Sequence, residues 1–337
     1  MEGTKGRFAA AAVLAGAVLL GAGCSANAAA PAGGHTSQVA ASSALPSPFT
    51  ITARYTAKSL GLDHPTDLTI GPDGNVYVTD RSQRVTVISP GGKVLRRWGK
   101  PGSKPGEFKF IAADRNTPNY VEGKITVGPG GMVYVYVSDR GNARVQVFTP
   151  GGRFVRQFGS YGAGKGQLLQ AYDLVVDGAG NVYVVDGITE TLAKFSPAGN
   201  VIWTIGGATA TDPDLAGHFH VTSIDPHGRL VVTNDDINRI LYIDPNGHKV
   251  DAFSPSTSGS GGHVCEATVD AAGNTYVSGC GSAGPTLVYD RAHRPIARWP
   301  GTQYSLLRSP VFGPNGEVFA LATDGSILKL RITLPGA

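Results

Sequence analysis

One phrase recurs six times along this chain, and an internal repeat constrains a fold more tightly than composition does. The phrase is an apolar strand, a turn and a second apolar strand. It reads LTIGPDGNVYVTD (68–80), ITVGPGGMVYVYVSD (125–139), LVVDGAGNVYVVD (174–186), TSIDPHGRLVVTN (222–234), ATVDAAGNTYVSG (267–279) and VFGPNGEVFALA (311–322). The turn glycines Gly74, Gly131, Gly180, Gly228, Gly273 and Gly316 are 57, 49, 48, 45 and 43 residues apart. Alternation such as N-V-Y-V beside a D-G turn marks a β-hairpin. Two more strands follow around a second Pro/Gly turn, as in RVTVISPGGKVLRRWG (84–99), RVQVFTPGGRFVRQFG (144–159) and LAKFSPAGNVIWTIGG (192–207). Four strands per unit of roughly 40–50 residues is a propeller blade. The prediction is an all-β, six-bladed β-propeller of four-stranded antiparallel blades.

The last unit stops early. ILKLRI (327–332) supplies its third strand and no fourth follows. FTITARYTAKSLGL (49–62) precedes the first unit, and its AKSLG resembles the RRWG and RQFG that end other units. Residues 49–57 are therefore predicted to add the outer strand of the last blade and close the ring, since an open ring leaves sheet edges unpaired.

FGSYGAGKGQL (158–168) has the G-x-x-x-x-G-K spacing of a phosphate-binding loop. Gly166 stands where Ser or Thr should hold a magnesium ion, and the strand AYDLVVD (171–177) follows in place of a helix. WGKPGSKPGEF (98–108) occupies the same place one unit earlier, so both are read as blade-to-blade crossings. The net charge of +4 is spread without basic runs, which gives no case for nucleic acid.

Lys5 and Arg7 precede the 16-residue apolar run 8–23, which reads as an export signal. LLGAGC (19–24) resembles a bacterial lipobox with Cys24 as the lipidated residue, although Leu20 lies one place too far from it. ANA (26–28) offers the competing cleavage that releases a secreted protein. The expected organisation is signal peptide 1–23, flexible tether 24–48 and propeller 49–337. The expected place is the outer face of the cell membrane through a lipid anchor, as a monomer, in an environment where disulfides persist.

The phrase at 65–99, P-x-D-L-x-I-x-P-D-G-N-V-Y-V-x-D-R and onward, resembles the NHL repeat, and so does the linker G-x-x-G-x-G-x-G-Q (159–167). The resemblance runs over residues 55–332. DRSQRV (80–85) and DRGNARV (139–145) carry its core, whereas blade five has GCGSAGPTL (279–287) there. It implies a scaffold that binds proteins or ligands, as in the extracellular sensors of some bacterial Ser/Thr kinases. It also implies an alternative, because related six-bladed propellers include lactonases, streptogramin lyases and the amidating lyase. Those enzymes use metal ions or a histidine at the mouth of the central channel.

Hairpin arithmetic nominates residues for that mouth. Cys265 and Cys280 lie eight residues before and seven after Gly273, so a disulfide is expected over free thiols or a metal site. The same offsets pair His220 with Asp235, either as a carboxylate-oriented general base or as a structural hydrogen bond. One position further in, Asp67 is paired with Asp80 and Asp173 with Asp186. Calcium could join such carboxylates, but satisfaction by Arg81, Arg140 or backbone amides is the preferred reading. His64, His218 and His263 each lie ten residues before a turn glycine. The expected binding face comprises His64, Arg81, Arg140, Tyr172, His218, His263 and Arg308, and its expected ligand is a protein, a peptide or a cell-envelope glycan. The alternative is a lactonase-like hydrolase or lyase with His220 and Asp235 as catalytic residues and calcium or zinc nearby.

Overall fold

The computed structural model describes residues 45–110, 123–137, 143–208, 210–256, 263–279, 285–299, 306 and 309–335. The described strands form six four-stranded antiparallel sheets arranged in a ring, the predicted six-bladed propeller. Five blades use four consecutive strands each. The sixth draws its outer strand from the N-terminal part of the chain, Phe49–Tyr55.

Local chemistry explains why the phrase folds. In blade three the Asp177 carboxylate accepts the amides of Ala179 (2.9 Å) and Asn181 (2.8 Å), then the Asn181 side chain (2.8 Å) and the Tyr183 hydroxyl (3.0 Å). Asp270, Asn274 and Tyr276 repeat this bonding in blade five. The recurring Asp, Asn and Tyr are thus one hydrogen-bonded turn, in which the aspartate satisfies amides the hairpin leaves unpaired. The second strands, such as Val133–Val137 and Val182–Asp186, are buried along their whole length. Blades pack face to face, so both sides of these strands need apolar residues and alternation is lost. The outer strand Val94–Trp98 alternates half-buried with exposed, because only one of its faces meets a neighbour.

Closure follows the predicted design. Phe49 stands opposite Ile332 and Tyr55 opposite Ile327 in an antiparallel pair. The strand ends two residues before the predicted limit, where Thr56 caps the short helix Ala57–Leu60. The seam also reaches blade five. The Arg298 amide donates to the Pro46 carbonyl at 2.9 Å, and the Phe49 ring meets Trp299 edge-on with centroids 5.1 Å apart.

The two crossings have one conformation. Gly102 and Gly162 sit at φ of 151° and 148°, and parallel bridges join Pro101 to Phe108 and Tyr161 to Leu168. Gln167 accepts the Gly164 amide at 3.0 Å and Glu107 accepts the Lys104 amide at 3.1 Å. An amide that would face a phosphate in a nucleotide loop is therefore already bonded. The segment serves as a blade connector.

Removal of residues 45–55 from the chain should expose the edge of strand Ile327–Ile332 and unseat blade six from blade five. Calorimetry should then show loss of the single cooperative transition, and light scattering should show self-association through the open edge.

Candidate functional site

Consider the end of the ring where the inner strands begin. Between blades three and four, residues 210–218 contain the one-turn helix Pro213–Leu215 capped by Asp212. Lys249 binds Asp212 at 2.8 Å and Asp214 at 2.6 Å, and Arg239 binds Asp214 at 3.0 Å. Asn234 donates to the carbonyls of Asp214 and Ala216. These contacts set the loop's exit, which is His218. The His218 amide donates to Asp236 at 2.9 Å, and its carbonyl accepts the Asp235 amide at 3.2 Å.

Here the structure corrects the predicted pairing. Asp235 holds His218, not His220: His218 Nδ1 lies 2.9 and 3.0 Å from the two Asp235 oxygens. His220 stands opposite Thr233 in the strand register. The arithmetic failed for two physical reasons. The turn pairs Asp225 with Arg229, so it is centred one residue before Gly228. A bulge between Val221 and Ser223 then shifts the register once more. The facing aspartates are corrected likewise. Asp67 stands opposite Thr79, and Asp173 opposite Val185. As the preferred reading held, backbone amides satisfy the carboxylates at the strand ends. Asp186 accepts those of Leu169, Gln170, Ile188 and Thr189, and Asp80 those of Asp63 and Ser82.

His220 finds its carboxylate in the next blade. Its Nδ1 lies 2.5 Å from Asp173 Oδ2, and the other Asp173 oxygen is 2.6 Å from Lys124 Nζ. Lys124, Asp173 and His220 come from blades two, three and four and are all nearly out of solvent, with side chains 10%, 7% and 15% exposed. Sequence reasoning missed this chain. A signal was present: Lys124 and Asp173 each lie seven residues before a turn glycine and His220 lies eight before, so all three fall near the starts of adjacent inner strands.

The Tyr172 ring stacks on His220, with centroids 5.8 Å apart and planes 19° apart, and meets His218 edge-on at 4.8 Å. Gly187 leaves it room, since a Cβ there would lie 2.0 Å from the ring. His218 and His220 are 5.1 Å apart at 84°. His263 joins from blade five, its Nδ1 2.6 Å from the Asp235 carbonyl. No hydrogen bond engages Nε2 of His218 or His220, or the Tyr172 hydroxyl, among the described residues.

The electrostatics follow from these contacts. The hydrogen bond to Asp235 raises the His218 pKa above the usual imidazole value, against the opposing effect of burial. Burial pushes the Asp235 carboxyl upward, but the bond and charge of His218, with the charge of His220, outweigh it and hold the group low. Burial, then the charges of Asp186, Asp235 and Asp173, raise the Tyr172 pKa, so its hydroxyl stays protonated and able to donate.

The structure thus gathers Tyr172, His218, His220, Asp235 and His263. It leaves His64 in blade one, exposed and paired with Asp63 at 2.8 Å, and Arg81 beside it, its amide bonded to the Asp63 carbonyl. Arg140, Arg308, Cys24 and Cys280 lie outside the described residues. Cys265 is disulfide-bonded.

No protein-family model matches the chain. Among curated proteins it is similar to NHL-repeat proteins. One is brain tumor of Drosophila melanogaster, 24% identical over 181 residues, which is 53% of this chain and 16% of that protein. Another is the RING finger protein nhl-1 of Caenorhabditis elegans, 34% identical over 106 residues, 30% of this chain and 11% of that one. The aligned segments are a small part of those proteins. Among solved structures, a streptogramin B lyase shares the fold with a TM-score of 0.57 and 12% identity, over 85% of this chain and 98% of that one. A protein assigned as a gluconolactonase matches at 0.57 and 13%, over 86% and 94%. A catalytically inactive histidine-to-alanine variant of virginiamycin B lyase from Staphylococcus aureus, with quinupristin, matches at 0.56 and 13%, over 85% and 100%. At these identities the likeness is one of fold.

The loop that delivers His218 should respond to acid. Burial raises the Asp212 carboxyl, but Lys249, the Asp214 amide and Arg239 outweigh it and leave the pKa lowered. Its contribution is therefore complete above the unfolded value of about 3.9 and is lost as pH falls through the lower folded value. Thermal melts should show stability holding near neutrality and dropping below about pH 4. Lys249→Met should lower stability at neutral pH by about 1 kcal/mol and flatten that acid limb.

Proposed function

We propose that this chain is an exported propeller enzyme, a hydrolase or lyase that opens a cyclic ester-type substrate at the start of its blade-four inner strand. One observation carries the reading. Two adjacent imidazoles are each held at Nδ1 by their own carboxylate, with both Nε2 atoms unengaged, beside a neutral tyrosine hydroxyl. A carboxylate on Nδ1 fixes the tautomer and leaves Nε2 as the basic atom, the arrangement proton abstraction requires. Asp173 orients His220, and Lys124 holds Asp173 in place through its other oxygen. Tyr172 walls the site and donates to developing negative charge. The dependence of the similar virginiamycin B lyase on a histidine supports an imidazole-centred chemistry. The apolar run at 8–23 and the disulfide-bonded Cys265 support export, with Cys280 as the disulfide partner and lipidation at Cys24.

A second reading, a binding module for a protein, peptide or envelope glycan, is favoured by Ile188 and Ile237. They are 58% and 43% exposed on the loops of blades three and four that border the histidines. The NHL-repeat likeness supports it too.

A panel of lactones, cyclic depsipeptides and cyclic esters separates the two. Under the enzyme reading the wild-type chain turns over at least one member, and His220→Ala lowers kcat/KM by about 10²–10⁴-fold. Asp173→Asn should fall between the two. Absence of turnover by the wild type, or unchanged rates in His220→Ala, would leave the binding reading.

A further inference from the structure

The site just described has the donor set of a transition-metal centre. We propose that His218, His220 and Asp235 bind one divalent ion of the zinc class. This rests on the same site as the enzyme reading and names the agent that acts there: water on the ion, in place of a bare imidazole.

Three observations carry it. One ligating atom from each residue can be chosen so that all three lie within 4.8 Å of one another. Two tetrahedral zinc ligands, each about 2.1 Å from the ion, lie roughly 3.4 Å apart. With an ion bound, His218 would ligate through Nδ1 and carry its proton on Nε2. Its Nδ1 to Asp235 separations of 2.9 and 3.0 Å need to open by only a few tenths, and the wider spacings need to close by side-chain rotation. The donor chemistry selects the ion. Two imidazoles and one carboxylate suit zinc or cobalt, with a fourth position left to water. Calcium takes six to eight oxygens, and this set offers one carboxylate. The third observation is the support. Asp173 holds His220 Nδ1 and so turns Nε2 toward the ion, as carboxylates behind metal-bound histidines do. Lys124 engages the other Asp173 oxygen, which keeps Asp173 a positioning residue behind His220.

The residue set is also local. All three ligands come from the first two strands of blade four and the ends that flank them, so the centre needs no long-range convergence. His64 is remote from it in blade one, and among the described residues His263 hydrogen-bonds the Asp235 carbonyl, not its carboxylate.

The test uses the full chain, stripped by chelator and dialysed, then titrated with Zn(II), Co(II) and Ca(II). The expected result is one Zn(II) per chain by elemental analysis and an absorption spectrum of four-coordinate Co(II) that Zn(II) displaces. His218→Ala and Asp235→Ala should each abolish stoichiometric binding. Asp173→Asn should weaken it by about 10–100-fold. His64→Ala should leave it unchanged. His218→Gln, which keeps side-chain bulk, guards against a folding artefact, and near-wild-type melting with lost Co(II) bands would support the site. Binding of Ca(II) alone, no binding, or Zn(II) retained by His218→Gln and Asp235→Ala would overturn it. The two proposals fail separately. Turnover that survives chelation but not His220→Ala would sink the metal and keep the enzyme. One bound zinc without turnover of any panel member would keep the metal and sink the enzyme.

Discussion

Everything in this molecule depends on the pairing of Phe49–Tyr55 with Ile327–Ile332. A propeller blade is a twisted sheet with two apolar faces and two edges. Its faces are covered only if a neighbour stands on each side, and that condition is met for every blade only when the ring closes. The second strands show how strict this is. Val133–Val137 and Val182–Asp186 are buried at every position, which no open array of sheets could provide at its ends. The seam is reinforced where it is weakest. Pro46 and Phe49 bond and pack against blade five before the closing strand joins blade six, so one segment ties both blades.

Closure also builds the site. Residues at the start of inner strands lie dozens of positions apart in sequence, and the ring makes them neighbours. Lys124, Asp173 and His220 form an ionic chain across three blades, and Glu266 similarly accepts the Ser309 amide across the gap between blades five and six. Each of these groups would be costly to bury alone, and each is paired by an adjacent blade. His220 is thus oriented by the same contacts that fix blade spacing, and His218 by Asp235 within its own blade.

The blade count, the hairpins, the closing strand and the rejection of a nucleotide loop were all legible in the sequence. Each rests on local periodicity or on turn chemistry that a short window contains. The pairing inside the site was not legible. Symmetry about Gly228 placed His220 opposite Asp235, whereas the turn centre and a bulge put Asp235 on His218. Bulges leave no reliable mark in one sequence, and a slip of one or two residues exchanges partners completely. The contact between Asp173 and His220 was harder still, because it crosses blades and depends on ring geometry. The five gathered residues were nevertheless nominated, although Lys124 and the role of Asp173 were not, since position relative to the turn glycine survives a register error.

Comparing the repeats with one another explains why the fold is recognisable while its chemistry is particular. The turn positions recur: Gly74, Gly131, Gly180, Gly228, Gly273 and Gly316 close the same hairpin. Eight residues earlier the six units carry Thr66, Gly123, Tyr172, His220, Cys265 and Arg308, with no two alike. Seven residues earlier they carry Asp67, Lys124, Asp173, Val221, Glu266 and Ser309. At the turn only the glycine is shared by all six units, because its positive φ demands it, and the residue before it varies from Asp73 to Gly130, Ala179, His227, Ala272 and Asn315. The inner strands pack alike around the ring, whereas a ligand on the axis meets each blade once. Divergence at the inner-strand starts is the pattern expected of a binding centre placed on a repeated scaffold. It also accounts for neighbours that share the ring at 12–13% identity: the ring is specified by turns and buried strands that many sequences satisfy, and the chemistry by a few positions that each chain sets for itself.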